Sequence, residues 1–594
     1  MTEYIMGNGA IAMGALKAGI SFASGYPGTP SSEIIETIYK RKHEGVYLEW
    51  SVNEKAALEG AAAAAMSGAR ALVTMKQVGL NVASDPLMSL AYVGIKGGLV
   101  VVSADDPGPI SSQTEQDTRR FADFARIPVF DPSSVEEAYE MIQDAFDYSE
   151  KYKTPVLFRP TTRVCHAYAS VDIKDYDRPA VCEGFVRDSS KWVIFPRLSY
   201  INHGLIEERN VKIGKELSSY RFNTVEGISE KAVVTSGISY AYVKEALKDL
   251  KEVKLIKIAT AYPFPEDFVL EALRGVKEAI CIEELSPYLE EQILKTVGKY
   301  HLDTEVSGKI NGRVAHNGEN SVELSERVLR AFLDTDGKEE DTDKSDIPKV
   351  PARPPVLCAG CPHRASFYAV KQAAKGRKSI FCGDIGCYTL GNAMPLDMVD
   401  TCLCMGAGIT MAQGFSHTNE DTACFAFTGD STFFASGITG VVNAVYNEAD
   451  IILCILDNST TAMTGHQPHP GTGFNLSNGN TVKADIGKIL EAAGVKKIIT
   501  TDPLDHKRSV EAVKECLEEK GVRAVIFKSP CIAIERSDKK CAIDREECVN
   551  CKKCIHETGC PALIISEGNV TIDTTLCTGC GLCKNVCPKG AIGG

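Results

Sequence analysis

Three parallel-sheet α/β units followed by a small cysteine-rich module is the fold class that this 594-residue sequence predicts. Short apolar runs alternate with amphipathic stretches over most of the chain, as expected of strands buried on both faces between helices. An acidic, proline-rich spacer interrupts that alternation once. Eight of the 22 cysteines fall between Cys548 and Cys587.

In the first unit, residues 1–185, the runs 71–74, 98–104 and 156–159 read as buried strands of a parallel sheet. The second, 186–333, continues a polar stretch: residues 166–229 read as an irregular connection. Strands at 232–235, 253–258 and 279–283 follow, with helical runs such as 240–250 between them. Residues 334–355 (DTDGKEEDTDKSDIPKVPARPP) cannot bury a core and read as an exposed linker. The third unit spans 356–535, and the cysteine module 536–594 closes the chain.

The bulk numbers exclude several classes. A net charge of −13 argues against nucleic acid, whose phosphates need a basic surface. No run of 18 apolar residues offers a membrane span. The start MTEYIMGNGA lacks the basic and apolar regions of an export signal, so a cytoplasmic location is expected. In a reducing compartment, CxxC-like spacing points to metal rather than disulfides.

The cysteines fall in two runs. Cys577-x2-Cys580-x2-Cys583-x3-Cys587-Pro588 has the bacterial ferredoxin spacing. Cys548-x2-Cys551-x2-Cys554-x5-Cys560-Pro561 is longer by two residues before its last cysteine. Three closely spaced thiolates wrap one corner of a cubane, and the fourth comes from the other run. This assigns Cys548, Cys551, Cys554 and Cys587 to one [4Fe–4S] cluster, and Cys560, Cys577, Cys580 and Cys583 to a second. Structural zinc fits less well, because it takes paired CxxC units rather than triplets with a distant fourth ligand. The tail is therefore a two-cluster ferredoxin-like domain.

In the third unit an apolar strand, 422–428, ends in Gly429-Asp430-Ser431. A helical run, 435–448, leads to a strand at 451–456 that ends in Asp457-Asn458-Ser459-Thr460. A right-handed crossover puts both strand ends on one sheet edge. Asp430, the Asn458 side chain and the Thr460 carbonyl are hard oxygen donors that suit Mg²⁺ and leave positions for phosphate oxygens. Gly406 and Gly408, earlier in the unit, allow close backbone approach to a ligand.

This arrangement resembles the GDG-to-Asn motif of thiamine diphosphate enzymes, with Ser431 as third residue. The resemblance implies binding through Gly429, Asp430, Ser431, Asn458 and Thr460. It also implies a catalytic glutamate at the start of a helix in another domain, which matches Glu54 in EWSVNEKAA. A solvated carboxylate favoured by the helix dipole is the plainer alternative for Glu54.

Thiamine domains joined to a two-cluster tail resemble the 2-oxoacid:ferredoxin oxidoreductases, most closely the large-subunit type that acts on indolepyruvate. The motifs are GYPGTP at 25–30, MKQVGLN at 75–81, PPVLCAGCPHR at 354–364, DNSTTAMTGH at 457–466 and the lengthened first cysteine run. The resemblance implies oxidative decarboxylation of aryl-2-oxo acids with coenzyme A, giving an acyl-CoA, CO₂ and electrons for ferredoxin. It implies a smaller beta subunit in an α2β2 assembly. Thr29 is the implied substrate contact. Relatives also carry a proximal cluster on a CxxC, a Gly-Cys and a Ser-Pro-Cys. The matching cysteines here are Cys358, Cys361, Cys387 and Cys531, whereas Cys165, Cys281, Cys424 and Cys454 read as buried free thiols.

One departure stands out. Where pyruvate-type relatives have an arginine, this chain has Asp105-Asp106-Pro107, so the cation for the substrate carboxylate is open; His466 and His469 are candidates. Competing readings are an oxidoreductase for pyruvate, branched-chain or 2-oxoglutarate substrates, a non-oxidative decarboxylase, and a non-catalytic electron-transfer subunit.

Overall fold

Both faces of a parallel sheet are covered by helices, so its strands run apolar rather than alternating, and that pattern organises most of this chain. A computed structural model describes the protein apart from residues 42–44, 175–181, 251–252, 335–347, 349, 352, 536 and 594. The linker expected at 334–355 lies largely outside the described residues. The chain divides into two units, Met1–Pro348 and Lys349–Gly594.

The strands of the first unit begin with β1 (Thr2–Met6), β2 (Phe22–Gly25), β3 (Tyr47–Trp50) and β4 (Ala71–Lys76). β5 (Leu99–Ala104), β6 (Val129–Phe130), β7 (Val156–Phe158) and β8 (Tyr168–Asp172) follow. Strands β2 to β7 form a parallel sheet in the order β3-β2-β4-β5-β7-β6, while β1 and β8 make a separate antiparallel ribbon. A second sheet contains β9 (Thr224–Glu226), β10 (Lys231–Thr235), β11 (Lys254–Lys257), β12 (Glu278–Ile282) and β13 (Glu305–Ser307). Its order is β13-β12-β10-β11-β9, with only the edge strand β9 antiparallel.

The two sheets share one core, in which Ala57, Leu80 and Leu90 pack in the same cluster as Val234, Ile258 and Ile293. Buried ions fix the junction: Arg119 donates to Glu283 at 2.8 Å and to Asp117 at 2.7 Å. Removing one partner of such a pair leaves a buried charge uncompensated, at a cost of about 3–5 kcal/mol.

The stretch 166–229 is not an irregular connection. It holds β8, β9 and a 22-residue helix, Pro196–Leu217. That helix buries only Ile206, Asn210, Ile213, Gly214 and Leu217, none of them in its first ten residues. A stripe so short and partly polar leaves the segment reading as a loop.

The second unit has β14 (Ser379–Cys382), β15 (Ala423–Gly429), β16 (Ile451–Asp457), a small hairpin of β17 (Phe474–Asn475) and β18 (Gly479–Asn480), β19 (Lys497–Thr501) and β20 (Val522–Lys528). The five-stranded parallel order is β14-β15-β16-β20-β19. The helix expected at 435–448 starts earlier. The chain winds directly from Asp430–Thr432 into a wide π turn, Phe433–Gly437, before the α-helix Ile438–Tyr446. Such turns often occur at functional sites.

In the tail, β21 (Ala542–Ile543) pairs with β24 (Ile592–Gly593), and β22 (Leu563–Ser566) with β23 (Asn569–Ile572), all antiparallel. Two short helices, Lys553–Thr558 and Leu582–Val586, follow the cysteine triplets. Leu582 and Val586 bury in the same core as Leu357, Phe367 and Tyr368, so tail and sheet domain form one body. Among the described residues no helix is long and apolar enough to cross a membrane.

Candidate functional site

Strands β15 and β16 are neighbours and end at Gly429 and Asp457, so the two motifs meet at the carboxyl edge of the sheet. Asp430 is buried. Its Oδ1 accepts the Ser431 N–H at 2.8 Å, and its Oδ2 accepts that of Ser459 at 2.7 Å. Ser459 has φ 61, a left-handed turn that aims its N–H back at the carboxylate. His469 Nε2 lies 3.1 Å from Asp430 Oδ2, while His469 Nδ1 accepts the Gly471 N–H. Because Nδ1 accepts, the ring proton of neutral His469 sits on Nε2 and is donated to Asp430. Asn458 and Thr460 are both buried beside it, and Asn458 Oδ1 accepts the Thr460 N–H at 3.3 Å. Asp457 is raised above the usual carboxylate range by burial and then by the negative charge of Asp430. Two close carboxylates plus buried amide and carbonyl oxygens suit a hard divalent cation.

The floor of this edge is shaped for an anion. Gly406 has φ +82, and a Cβ there would lie 2.2 Å from Ser436 Oγ. It begins the helix Ala407–Thr418, whose first N–H groups have no side-chain cap. Free amides at a helix start are suited to phosphate. Asp384 holds the turn: it accepts the Gly406 N–H and the Thr428 hydroxyl, each at 2.8 Å, and burial raises it to about 6. His363 is buried with both ring nitrogens unpartnered, and burial lowers it to about 4, so it is neutral. An orphaned imidazole is costly and fits a polar guest. Thiamine diphosphate with Mg²⁺ fits this donor set.

In the first unit, Glu54 opens the helix Glu54–Met66, capped by Asn53, whose side chain accepts the Ala56 N–H at 2.9 Å. The Glu54 carboxyl packs where a Cβ on Gly79 would come within 2.5 Å of Oε1, so only glycine leaves it room. Burial raises Glu54 to about 7, against the pull of Lys76. Lys76 ends β4, beside the loop after β2 that carries Thr29. Its stem lies under Gly28, and its Nζ donates to the Ser111 carbonyl at 2.9 Å. The Ser111 hydroxyl in turn donates to the Thr29 carbonyl at 3.1 Å.

Asp105 and Asp106 have structural partners. Asp105 pairs with buried Arg159 at 2.7 Å, and Asp106 accepts from Thr162 Oγ1 at 2.6 Å and the Ser111 N–H at 2.8 Å. Of the two candidate histidines, His469 is held by Asp430 and His466 is exposed.

The cysteines gather in three places. Cys548, Cys551, Cys554 and Cys587 line one hollow. Cys560, Cys577, Cys580 and Cys583 line another, together with Cys361 and with Cys541, which sequence spacing missed because it stands outside both triplets. Cys541 is buried, and its N–H points to Cys577 Sγ at 3.4 Å. In the third place, burial followed by the nearby Cys358 and Cys387 thiols pushes Cys361 up to about 12. Burial followed by Cys531 and Cys358 pushes Cys387 up to about 11. Among the described residues no three His, Cys, Asp or Glu side chains converge on one point. A cubane asks for no such convergence, since its thiolates attach to different irons. Cys165, Cys281, Cys424 and Cys454 are buried free thiols.

Comparison with known proteins agrees with this division. Residues 13–191 match the family described as pyruvate flavodoxin/ferredoxin oxidoreductase, thiamine diP-bdg. Residues 384–527 match thiamine pyrophosphate enzyme, C-terminal TPP binding domain, and 570–593 match 4Fe-4S binding domain. The last match covers the second cysteine run only. The indolepyruvate oxidoreductase subunit IorA of Methanothermobacter thermautotrophicus is 41% identical over 99% of this chain and 97% of its own. That of Archaeoglobus fulgidus is 39% identical over 99% and 97%. A 2-oxoglutarate synthase subunit KorA of Methanocaldococcus jannaschii is 27% identical over 52% of this chain and 96% of its own. Among solved structures, a 2-oxoglutarate:ferredoxin oxidoreductase from Magnetococcus marinus has a TM-score of 0.46 at 17% identity, covering 56% of this chain and 65% of that one. With thiamine-binding domains, a [4Fe–4S] tail and end-to-end similarity at about 40% identity, the chain belongs to the IorA family of 2-oxo acid oxidoreductases.

Proposed function

We propose that this chain decarboxylates aryl-2-oxo acids oxidatively, of which indolepyruvate is the reference case, and passes the electrons along its cysteines to ferredoxin. The observation that carries the reading lies within the second unit. The Cys531 N–H donates to the Asn458 carbonyl at 3.0 Å, so the cation-ligand strand and the third cysteine group are bonded neighbours. An electron source and an electron sink thus share one backbone contact.

In this reading Asp430, Asn458 Oδ1 and the Thr460 carbonyl hold Mg²⁺, and the amides after Gly406 take the diphosphate. When bound there, thiamine diphosphate would supply the nucleophile and the electron sink that decarboxylation of a 2-oxo acid needs. Glu54, buried and raised to about 7, would hold or release a proton at the aminopyrimidine ring near neutral pH. His469 keeps Asp430 oriented through Nε2–H. Lys76 is the cation for the substrate carboxylate, and Thr29 lies on the adjoining loop. Cubanes sit on Cys548, Cys551, Cys554 and Cys587, on Cys560, Cys577, Cys580 and Cys583, and on Cys358, Cys361, Cys387 and Cys531. Coenzyme A accepts the acyl group. The IorA relatives are named as subunits, which supports a partner subunit; in this reading it is the smaller subunit of an α2β2 enzyme of the reducing cytoplasm.

Anaerobic co-expression with the partner subunit, followed by viologen or ferredoxin reduction with 2-oxo acid and coenzyme A, tests the reading. Faster reduction with indolepyruvate than with pyruvate is expected; a preference for pyruvate would overturn the substrate class. Iron analysis should give about twelve atoms per chain, four for each cubane; about eight would remove the third cluster.

A further inference from the structure

Arg364 begins the helix Pro362–Ala373, three residues after Cys361, and is buried in the second unit. Its Nη1 donates to the Thr558 and Gly559 carbonyls at 2.6 and 3.0 Å, and its Nη2 donates to the Leu357 carbonyl. Its Nε is buried without a partner. Among the described residues no carboxylate pairs with it. The ionisable groups that face it are four thiols, Cys560, Cys361, Cys580 and Cys358. It also lines the hollow shared by Cys560, Cys577, Cys580 and Cys583.

A guanidinium is always protonated, and an uncompensated buried charge is among the costliest features a fold can carry. Three carbonyls satisfy some of its donors but none of its charge. The missing anion is supplied by the thiols around it, which become thiolates when they bind iron. The lengthened first cysteine run now has a purpose. Thr558 and Gly559, within the five-residue gap before Cys560, supply two of the carbonyls that Arg364 grips, and Leu357, just before Cys358, supplies the third. Gly559 has φ +57, and a Cβ on it would lie 2.4 Å from Pro395, so the loop seats only with glycine.

We propose that Arg364 is the counter-ion of the cluster on Cys560, Cys577, Cys580 and Cys583, and that it raises that cluster's reduction potential. This rests on the cluster assignment given above. Reduction adds one electron to an already anionic cubane, with no proton required for balance, so a fixed positive charge at its surface favours the reduced state. Arg364 is a positioning residue here; it ligates nothing.

The test is an EPR-monitored redox titration of the anaerobic full-length protein and of the R364M and R364K variants, with iron determined in each. R364M should lower the reduction equilibrium constant of one tail cluster at least tenfold, or 59 mV for a one-electron couple, while the other stays in place. R364K should recover most of that shift. Unmoved midpoints in R364M overturn the proposal. Where R364M loses iron, R364K decides: it must retain the cluster with a midpoint near that of the unsubstituted protein, and loss of iron from both variants overturns the electrostatic role in favour of a clamp. An unsubstituted protein without tail clusters would overturn the cluster assignment itself, and its iron content reports that separately.

Discussion

Replacing Glu54 by Gln removes a carboxyl that is raised from 4.5 to about 7 by burial. The folded protein therefore binds that proton more tightly than the unfolded chain does. Between those values the native state holds more protons, so its stability falls as pH rises. At 1.36 kcal/mol per tenfold change in acidity, the burial of ionised Glu54 costs about 3 kcal/mol above pH 7 and nothing below about pH 4.5. Gln fills the same space with no charge to desolvate. In cofactor-free protein, E54Q should match the unsubstituted chain at pH 4.5 and unfold several degrees later at pH 8 by calorimetry. Turnover should fall by a factor of about 10²–10⁴, the usual worth of a positioned acid–base group. Equal unfolding temperatures at pH 8, or an offset independent of pH, would refute the buried-carboxyl reasoning; undiminished turnover would refute the role.

Asp430→Asn keeps the shape but removes the anion, so Mg²⁺-dependent binding of thiamine diphosphate, followed by titration calorimetry, should weaken by about a hundredfold, as losing a fixed metal ligand shell contact commonly does. Lys76→Met should raise KM for the 2-oxo acid about tenfold or more, because an unpaired substrate carboxylate loses a charge-assisted bond, with kcat moving less; an unchanged KM places the carboxylate elsewhere. Six thiols line the second tail hollow, Cys361, Cys541 and the four assigned to the cluster, where a cubane takes four. Cys541→Ala should therefore retain the iron content of the unsubstituted protein, and Cys560→Ala should lose about one cubane's worth, about four irons; the reverse result exchanges their roles.

The parallel sheets were legible because β4, β5, β15 and β16 are runs of mostly apolar, buried residues. The helix Pro196–Leu217 was not, since its first ten residues bury nothing. Asp430 and Asn458 could be read because each follows an apolar strand, and strand ends on one edge must meet. His469 stood out only as a candidate for the substrate carboxylate; its bond to Asp430, like the roles of Asp384 and Arg364, was hidden for the opposite reason. Each is a single polar residue with a partner far along the chain, 22 positions for Asp384, 39 for His469 and 194 for Arg364. Cys541 lacked the triplet spacing that marks the others. The shared core of the first two sheets was also beyond periodicity, which tells that a helix has an apolar side and not which sheet it meets.

The central claim is that electrons taken from a 2-oxo acid at the Asp430 edge arrive at the cysteines of the same chain. Freeze-quench EPR measures this directly, after anaerobic mixing of the cofactor-loaded complex with indolepyruvate and coenzyme A. The account predicts reduced [4Fe–4S] signals that grow as the acid is consumed and that vanish in the Asp430→Asn variant. Consumption of the acid with the clusters left oxidised would contradict it.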